Sequence, residues 1–265
     1  MSLIMRLAMV VPTLLLSSVL LRAAAAGRDS SWPQFHGPNR DNMSTESALL
    51  KKWPAEGPAL LWKSTECGRG YSGVAVADGR IFTAGDFGDE ECVLALDLNG
   101  KLLWKKPNGA SWPGPYPGSR TTPTLSEGVV YQMNAHGKLT AFQAATGKTV
   151  WSVDLKDRFG AVHGTWGLAE NVAVDGERLF CVPGGSKALI TALDKRTGRT
   201  LWQHDEEIGY GQPAAPVAPG AKSVPAAQHP AYVGSWTTPV IKRIDGRDQL
   251  LLSWPRRLAA YEPAT

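Results

Sequence analysis

Arg120, Tyr71, Trp166 and Trp236 are the residues of this sequence best suited to hold a ligand. A guanidinium binds a carboxylate through two parallel hydrogen bonds. Tyrosine and tryptophan rings stack on a planar ring or on the face of a sugar. Each of the four stands in a short stretch that contains Gly or Ser: Gly70-Tyr71-Ser72, Ser119-Arg120-Thr121, Gly164-Thr165-Trp166-Gly167 and Gly234-Ser235-Trp236-Thr237. The plainer reading pairs Arg120 with an acid of a neighbouring element and makes the rings filler. His163 has the chemistry of a general base or metal ligand, and equally that of a hydrogen-bonded turn residue. Asp86, Asp89, Glu90 and Glu91 offer carboxylates for calcium but lack the alternating spacing of a calcium loop, which favours a solvated hairpin tip. No P-loop, GxGxxG or Ser-His-Asp order is present, so the sequence nominates no catalytic residue and no metal set.

The three cysteines, Cys67, Cys92 and Cys181, cannot all pair. A Cys67–Cys92 bridge is open to them, but three small buried hydrophobes is the favoured reading. Their spacing does not suit zinc.

The elements that position these residues come from repetition. Leu94–Trp104, Thr140–Trp151 and Thr191–Trp202 superimpose, each running from an apolar strand through a Gly turn to a Trp. A fourth copy begins at Ala259, and Ala59-Leu60-Leu61-Trp62-Lys63 reads as the close of a preceding one. The Trp residues 62, 104, 151 and 202 stand 42, 47 and 51 residues apart. In phase with them, Asp78-Gly79, Glu127-Gly128, Asp175-Gly176 and Asp245-Gly246 each follow an apolar run, the signature of a tight hairpin. Four short strands every 40 to 50 residues predict an all-β fold, a β-propeller of four-stranded antiparallel blades. In such a fold the first strand of each blade is innermost, and the four ligand candidates stand at the starts of those strands. A Trp closing the outer strand can cap its own sheet and lie over the Gly turn of the next, with its indole N–H on a backbone carbonyl.

The chain has 265 residues, 43% hydrophobic and 20% charged, enough for a substantial core. Residues 1–26 read as a cleaved secretory signal: Arg6, an apolar run from Leu7 to Leu21, then Ala24-Ala25-Ala26. The apolar run is too short to span a bilayer, and no later segment approaches that length. Removing this leader, which carries Arg6 and Arg22 and no acid, lowers the net charge from +4 to +2. So small a charge argues against a nucleic-acid partner. A secreted or periplasmic protein is expected, with no transmembrane segment after cleavage. The Pro-rich stretch Gln212–Pro230 is read as a long inserted loop.

The Ala-x-Asp-x-x-Thr-Gly-Lys-x-x-Trp pattern resembles the tryptophan-docking motif of the PQQ-like (pyrroloquinoline quinone-like) β-propellers. The opening Trp32-Pro33-Gln34-Phe35-His36-Gly37-Pro38-Asn39-Arg40-Asp41 is similar to that of the secreted members abundant in planctomycetes. The resemblance implies about four blades here of eight in such propellers, and so a shortened copy. The division is a signal at 1–26, a lead-in with a closing outer strand at 27–66, and a partial propeller at 67–265. It implies one of three roles. The first is a non-catalytic binding or scaffold module taking a protein or glycan at the cell envelope. The second is a PQQ- and Ca²⁺-dependent dehydrogenase of alcohols or sugars. The third is an outer-membrane assembly propeller. The vicinal disulfide of the dehydrogenases has no counterpart, because no two cysteines are adjacent. The first reading is favoured, with Tyr71, Arg120, Trp166 and Trp236 as its channel-mouth candidates.

Overall fold

A computed structural model describes residues 31–47, 49–204, 236–254 and 257–264. The expected signal at 1–26 and the Pro-rich loop lie outside the described residues. Four antiparallel sheets follow one another along the chain. The first holds β1 (Ala75–Ala77), β2 (Arg80–Phe87), β3 (Glu90–Asp97) and β4 (Leu102–Ala110). The second holds β5 (Thr124–Ser126), β6 (Val129–Met133), β7 (Lys138–Gln143) and β8 (Thr149–Asp154). The third holds β9 (Ala173–Asp175), β10 (Arg178–Cys181), β11 (Ile190–Asp194) and β12 (Thr200–His204). The fourth has three strands, β13 (Val240–Ile244), β14 (Arg247–Trp254) and β15 (Arg257–Tyr261). One five-residue helix, α1 (Leu155–Phe159), follows β8, capped by the Asp154 carboxylate at its start and by Gly160 at its end.

The hairpins show why the acidic-Gly pairs recur. In the first, second and fourth sheets both turn residues have positive φ, as at Asp78 (52°) and Gly79 (68°), the geometry a two-residue turn needs to follow the strand twist. The third hairpin is one residue out of step. Asp175 pairs with Arg178, so Gly176 and Glu177 form the turn, and only Gly176 has positive φ.

The core lies between sheets. Phe82, Val93, Ala95 and Trp104 of the first sheet pack on Leu125, Val130 and Phe142 of the second. Trp104 donates its indole N–H to Ala144 O (2.9 Å) and lies over Gly147. Trp151 repeats this one sheet on, to Lys195 O (2.9 Å) and over Gly198. Trp202 donates to Pro263 O (3.2 Å). Burying such a ring removes roughly 150–250 Å² from water, and the carbonyl spares its N–H the cost of burial without a partner.

Residues 32–40 cross the inner strands of all four sheets. Trp32 exchanges two backbone bonds with Val76 (2.7 and 2.9 Å), and Pro33 O accepts from Leu125 N (2.8 Å). Arg40 donates to Val174 O, and Lys242 Nζ to Asn39 O (3.0 Å). The inner strand edges are therefore covered by the chain itself. Among the described residues no helix is long and apolar enough to cross a membrane.

Candidate functional site

The starts of the inner strands are tied together by polar groups. Gly73 N donates to Thr122 Oγ1 (3.1 Å), Thr122 N to Asn171 Oδ1 (2.6 Å), and Asn171 Nδ2 to Thr238 Oγ1 (2.8 Å). One relay thus links the first, second, third and fourth sheets. Gly70 and Ser119 add a parallel bridge beside it. The backbone that carries the four candidates is consequently held by its neighbours.

Those candidates fall into two pairs. The Arg120 guanidinium lies 5.3 Å from the Tyr71 ring and 5.9 Å from that of Trp112. Its Nη2 donates to the carbonyls of Pro115 (2.6 Å) and Tyr116. Among the described residues Arg120 has no ion pair, and its Nη2 is turned toward two backbone oxygens. Burial lowers its pKa, with the negative potential of Tyr71 and Asp86 opposing the shift. Trp166 and Trp236 meet edge-to-face at 5.0 Å. Trp236 donates its backbone N–H to Glu170 Oε1 (3.1 Å) and its indole N–H to Gly167 O (3.3 Å).

Between the pairs lies a cluster of which sequence reasoning named His163 alone. Buried Trp112 sits 5.3 Å from His136 and 5.0 Å from His163, and the two imidazoles are 6.0 Å apart. His136 Nε2 is bonded to Ser111 O (2.9 Å), and His163 Nδ1 faces Gly164 O (3.1 Å). Trp112 lies in the connection between the first two sheets, where no repeat pattern marks it. The histidines pack on its ring, an arrangement suited to shaping a surface.

The acidic run divides. Asp89 and Glu90 are exposed at the hairpin tip, as expected, but Asp86 and Glu91 face each other across β2 and β3 and are buried. Asp86 accepts from Trp112 N (2.9 Å). Its pKa is raised by burial, against that bond and the nearby His136, Arg120 and Arg69. Glu91 is 1% exposed and accepts from Asn108 Nδ2 (3.1 Å), while Asn108 also reaches Gln132 O. Burial, reinforced by Asp86, pushes the Glu91 carboxyl up to about 8 even though Asn108, Ser119 and Gln132 favour its anion. A neutral Glu91 brings an O–H into a pocket where Asn108 Oδ1 and Gln132 Oε1 have no other donor.

A family model described as outer membrane protein assembly factor BamB matches residues 89–235. The chain belongs to this family of PQQ-like propellers. The BamB of Salmonella typhimurium is 30% identical over 143 residues, covering 52% of this chain and 32% of that protein. Quinoprotein alcohol dehydrogenase PedH of Pseudomonas putida is 30% identical over 112 residues, covering 40% of this chain and 18% of that protein. The crystal structure of the quinohemoprotein alcohol dehydrogenase from Comamonas testosteroni aligns at 24% identity and a TM-score of 0.49, over 68% of this chain and 28% of that one. The chain spans about a third or less of the length of these curated relatives.

PQQ-like dehydrogenases hold a quinone and a metal, and the described residues of this chain gather no ready cluster of ligands for such a metal. Arg120 Nη2 is engaged by two backbone carbonyls, and Glu91 is enclosed and bonded to Asn108. No group of three His, Cys, Asp or Glu converges among the described residues. The cysteines are free; Cys67 is half-buried, where a buried residue was expected, and Cys92 and Cys181 are buried. Burial pushes the Cys181 thiol up to about 12, so it stays protonated.

Proposed function

We propose that this chain is a non-catalytic binding module of the cell envelope whose mouth docks a protein partner. The observation that carries the reading is two groups of exposed aromatic rings on a pinned backbone, one of them set around Arg120. Tyr71, Tyr116 and Trp166 are 60, 65 and 42% exposed, Trp236 is 39% exposed, and Arg120 lies against Tyr71. Tyrosine, tryptophan and arginine are the side chains that dominate protein–protein binding energy. Rings held before contact lose little entropy on binding. The match to an assembly factor of the outer membrane supports a protein ligand, and the apolar leader at 1–26 supports a site outside the cytoplasm.

The alternative, oxidation of alcohols or sugars through a bound quinone, rests on the similarity to PedH. It is disfavoured by the engagement of Arg120 Nη2 with two backbone carbonyls. A glycan on the Trp166–Trp236 pair is the other occupant to test.

A photo-cross-linking residue at Tyr116, exposed to envelope extract, tests the reading. A defined protein adduct is expected, weakened about tenfold or more by Arg120→Ala or Trp166→Ala, as for binding hot spots. An adduct with polysaccharide alone, or a protein adduct indifferent to both substitutions, contradicts it.

A further inference from the structure

Three connecting segments bring two imidazoles against one indole. His136 stands in the turn between β6 and β7, His163 in the connection after α1, and Trp112 in the connection after β4. Each is held by its backbone. Asn134 Oδ1 accepts from His136 N (3.0 Å) and Lys138 N (2.9 Å), which fixes the turn. Leu168 N donates to Ala135 O (2.9 Å), and a Cβ on Gly167 would lie 2.8 Å from Ala135. The loop that follows His163 is thereby docked on the turn that carries His136. Trp112 N donates to Asp86 Oδ2 (2.9 Å). The two histidines are half-buried, so solvent reaches them, while Trp112 is buried.

The hydrogen bonds of the two imidazoles decide their tautomers. A carbonyl oxygen only accepts, so His136 donates from Nε2 to Ser111 O (2.9 Å) and His163 from Nδ1 to Gly164 O (3.1 Å). In a neutral imidazole the other nitrogen then carries a lone pair. Those nitrogens are His136 Nδ1 and His163 Nε2, and neither has a hydrogen-bond partner among the described residues. A ring N–H held by a backbone carbonyl, with the opposite nitrogen free, is the arrangement that orients histidine as a metal ligand and raises its basicity. Here two such rings stand 6.0 Å apart against one indole wall.

We propose that His136 and His163 together bind a divalent transition-metal ion, Cu²⁺ in preference to Zn²⁺, beside Trp112. Imidazole suits copper, zinc and nickel, and Cu²⁺ binds most tightly of the divalent series. A histidine nitrogen sits about 2.0–2.1 Å from zinc, so two rings on one tetrahedral ion have centres roughly 5 Å apart. The observed 6.0 Å closes to that by rotation about χ2, a broad torsion in histidine. No third His, Cys, Asp or Glu joins the pair among the described residues, so the remaining positions on the ion belong to water. Calcium, which takes about 6–8 oxygen ligands, is the wrong ion for two imidazoles. The site is therefore distinct in kind from one that would serve a quinone.

The test titrates the whole chain with Cu²⁺ alone and follows tryptophan fluorescence and the electron paramagnetic resonance spectrum of the metal. One ion bound per chain at micromolar concentration is expected, with quenching of the emission and a spectrum showing two imidazole nitrogens at substoichiometric copper. His136→Phe and His163→Phe each keep a ring against Trp112, so their circular dichroism is expected to match that of the parent. Each should weaken binding by about tenfold or more, at least the loss that removing an outer partner of a ligand brings, and should leave a spectrum of one imidazole. No binding at micromolar Cu²⁺, or binding indifferent to either substitution, overturns the proposal. The spectrum of the unsubstituted chain decides without the variants: fewer than two imidazole nitrogens on the first copper bound also overturns it.

Discussion

The seam between the second and third sheets and the seam between the first and second are built on one plan but filled differently. The former is apolar: Met133, Leu139, Val153, Leu155, Phe159 and Leu168 join Leu179 and Leu193 in one cluster. The latter has an apolar half around Phe82 and Trp104 and, toward the mouth, a polar half of Glu91, Asn108, Thr121 and Gln132. Hydrophobic burial stabilises both. The first-to-second seam carries the buried Glu91 carboxyl, so there a proton becomes part of the packing. The polar half also lies beneath Trp112 and Arg120, which places the titrating group next to the candidate surface.

Removing a seam tryptophan is the strongest way to break the comparison. Trp151→Ala should destabilise the chain by about 3–5 kcal/mol, the usual cost of deleting a buried aromatic ring. Trp202→Ala should cost less, since that ring is only partly buried. Urea midpoints of the two variants check the order, and equal losses would contradict it.

The buried carboxyl gives the next effect, on the order of a few kcal/mol. Its folded pKa of about 8 lies above the ordinary carboxyl value, so the folded state keeps a proton that the unfolded chain gives up from about pH 4.5. Stability is therefore highest below that pH and falls as pH rises toward 8, flattening beyond. Asp86, also raised, acts in the same direction. Denaturant titrations at pH 5 and pH 9 should show the parent weaker at pH 9 and Glu91→Gln with a much smaller difference. An unchanged difference would remove Glu91 from the account.

Gly198→Ala sharpens the apolar side. It combines a φ of +70° with a Cβ 2.8 Å from Trp151, and about 1–3 kcal/mol of strain is expected. The smallest effect belongs to the surface. Lys195 is buried but its partners Glu127 (3.0 Å) and Glu177 (3.8 Å) are exposed. Glu127→Ala should therefore cost about 1 kcal/mol or less, and a loss approaching that of Trp151→Ala would contradict the ranking.

Much of the fold was legible because it repeats. The Trp ladder and the acidic-Gly turns mark each sheet, and the three complete sheets lie where those markers predict. The third hairpin slipped by one residue because Asp175-Gly176-Glu177 permits two turns, and pairing between Asp175 and Arg178 chooses one. The site was less legible. Tyr71 and Arg120 come together and Trp166 and Trp236 come together, but Trp112 and His136 lie outside the repeated strands. Glu91 was grouped with a solvated tip because β3 is buried on both faces, where alternation carries no signal. The covering of the inner strands by residues 32–40 rests on contacts across all four sheets, which no local pattern encodes.

The central claim is that the mouth binds a partner and holds no quinone. The most direct measurement is the tryptophan fluorescence of the whole chain titrated with pyrroloquinoline quinone and Ca²⁺, followed by a dye-linked oxidation assay. Trp112, Trp166 and Trp236 belong to the proposed mouth and would report occupancy. The account predicts no saturable quenching at micromolar quinone and no dye reduction. Saturable quenching that requires Ca²⁺, with dye reduction by an alcohol or sugar, would contradict it.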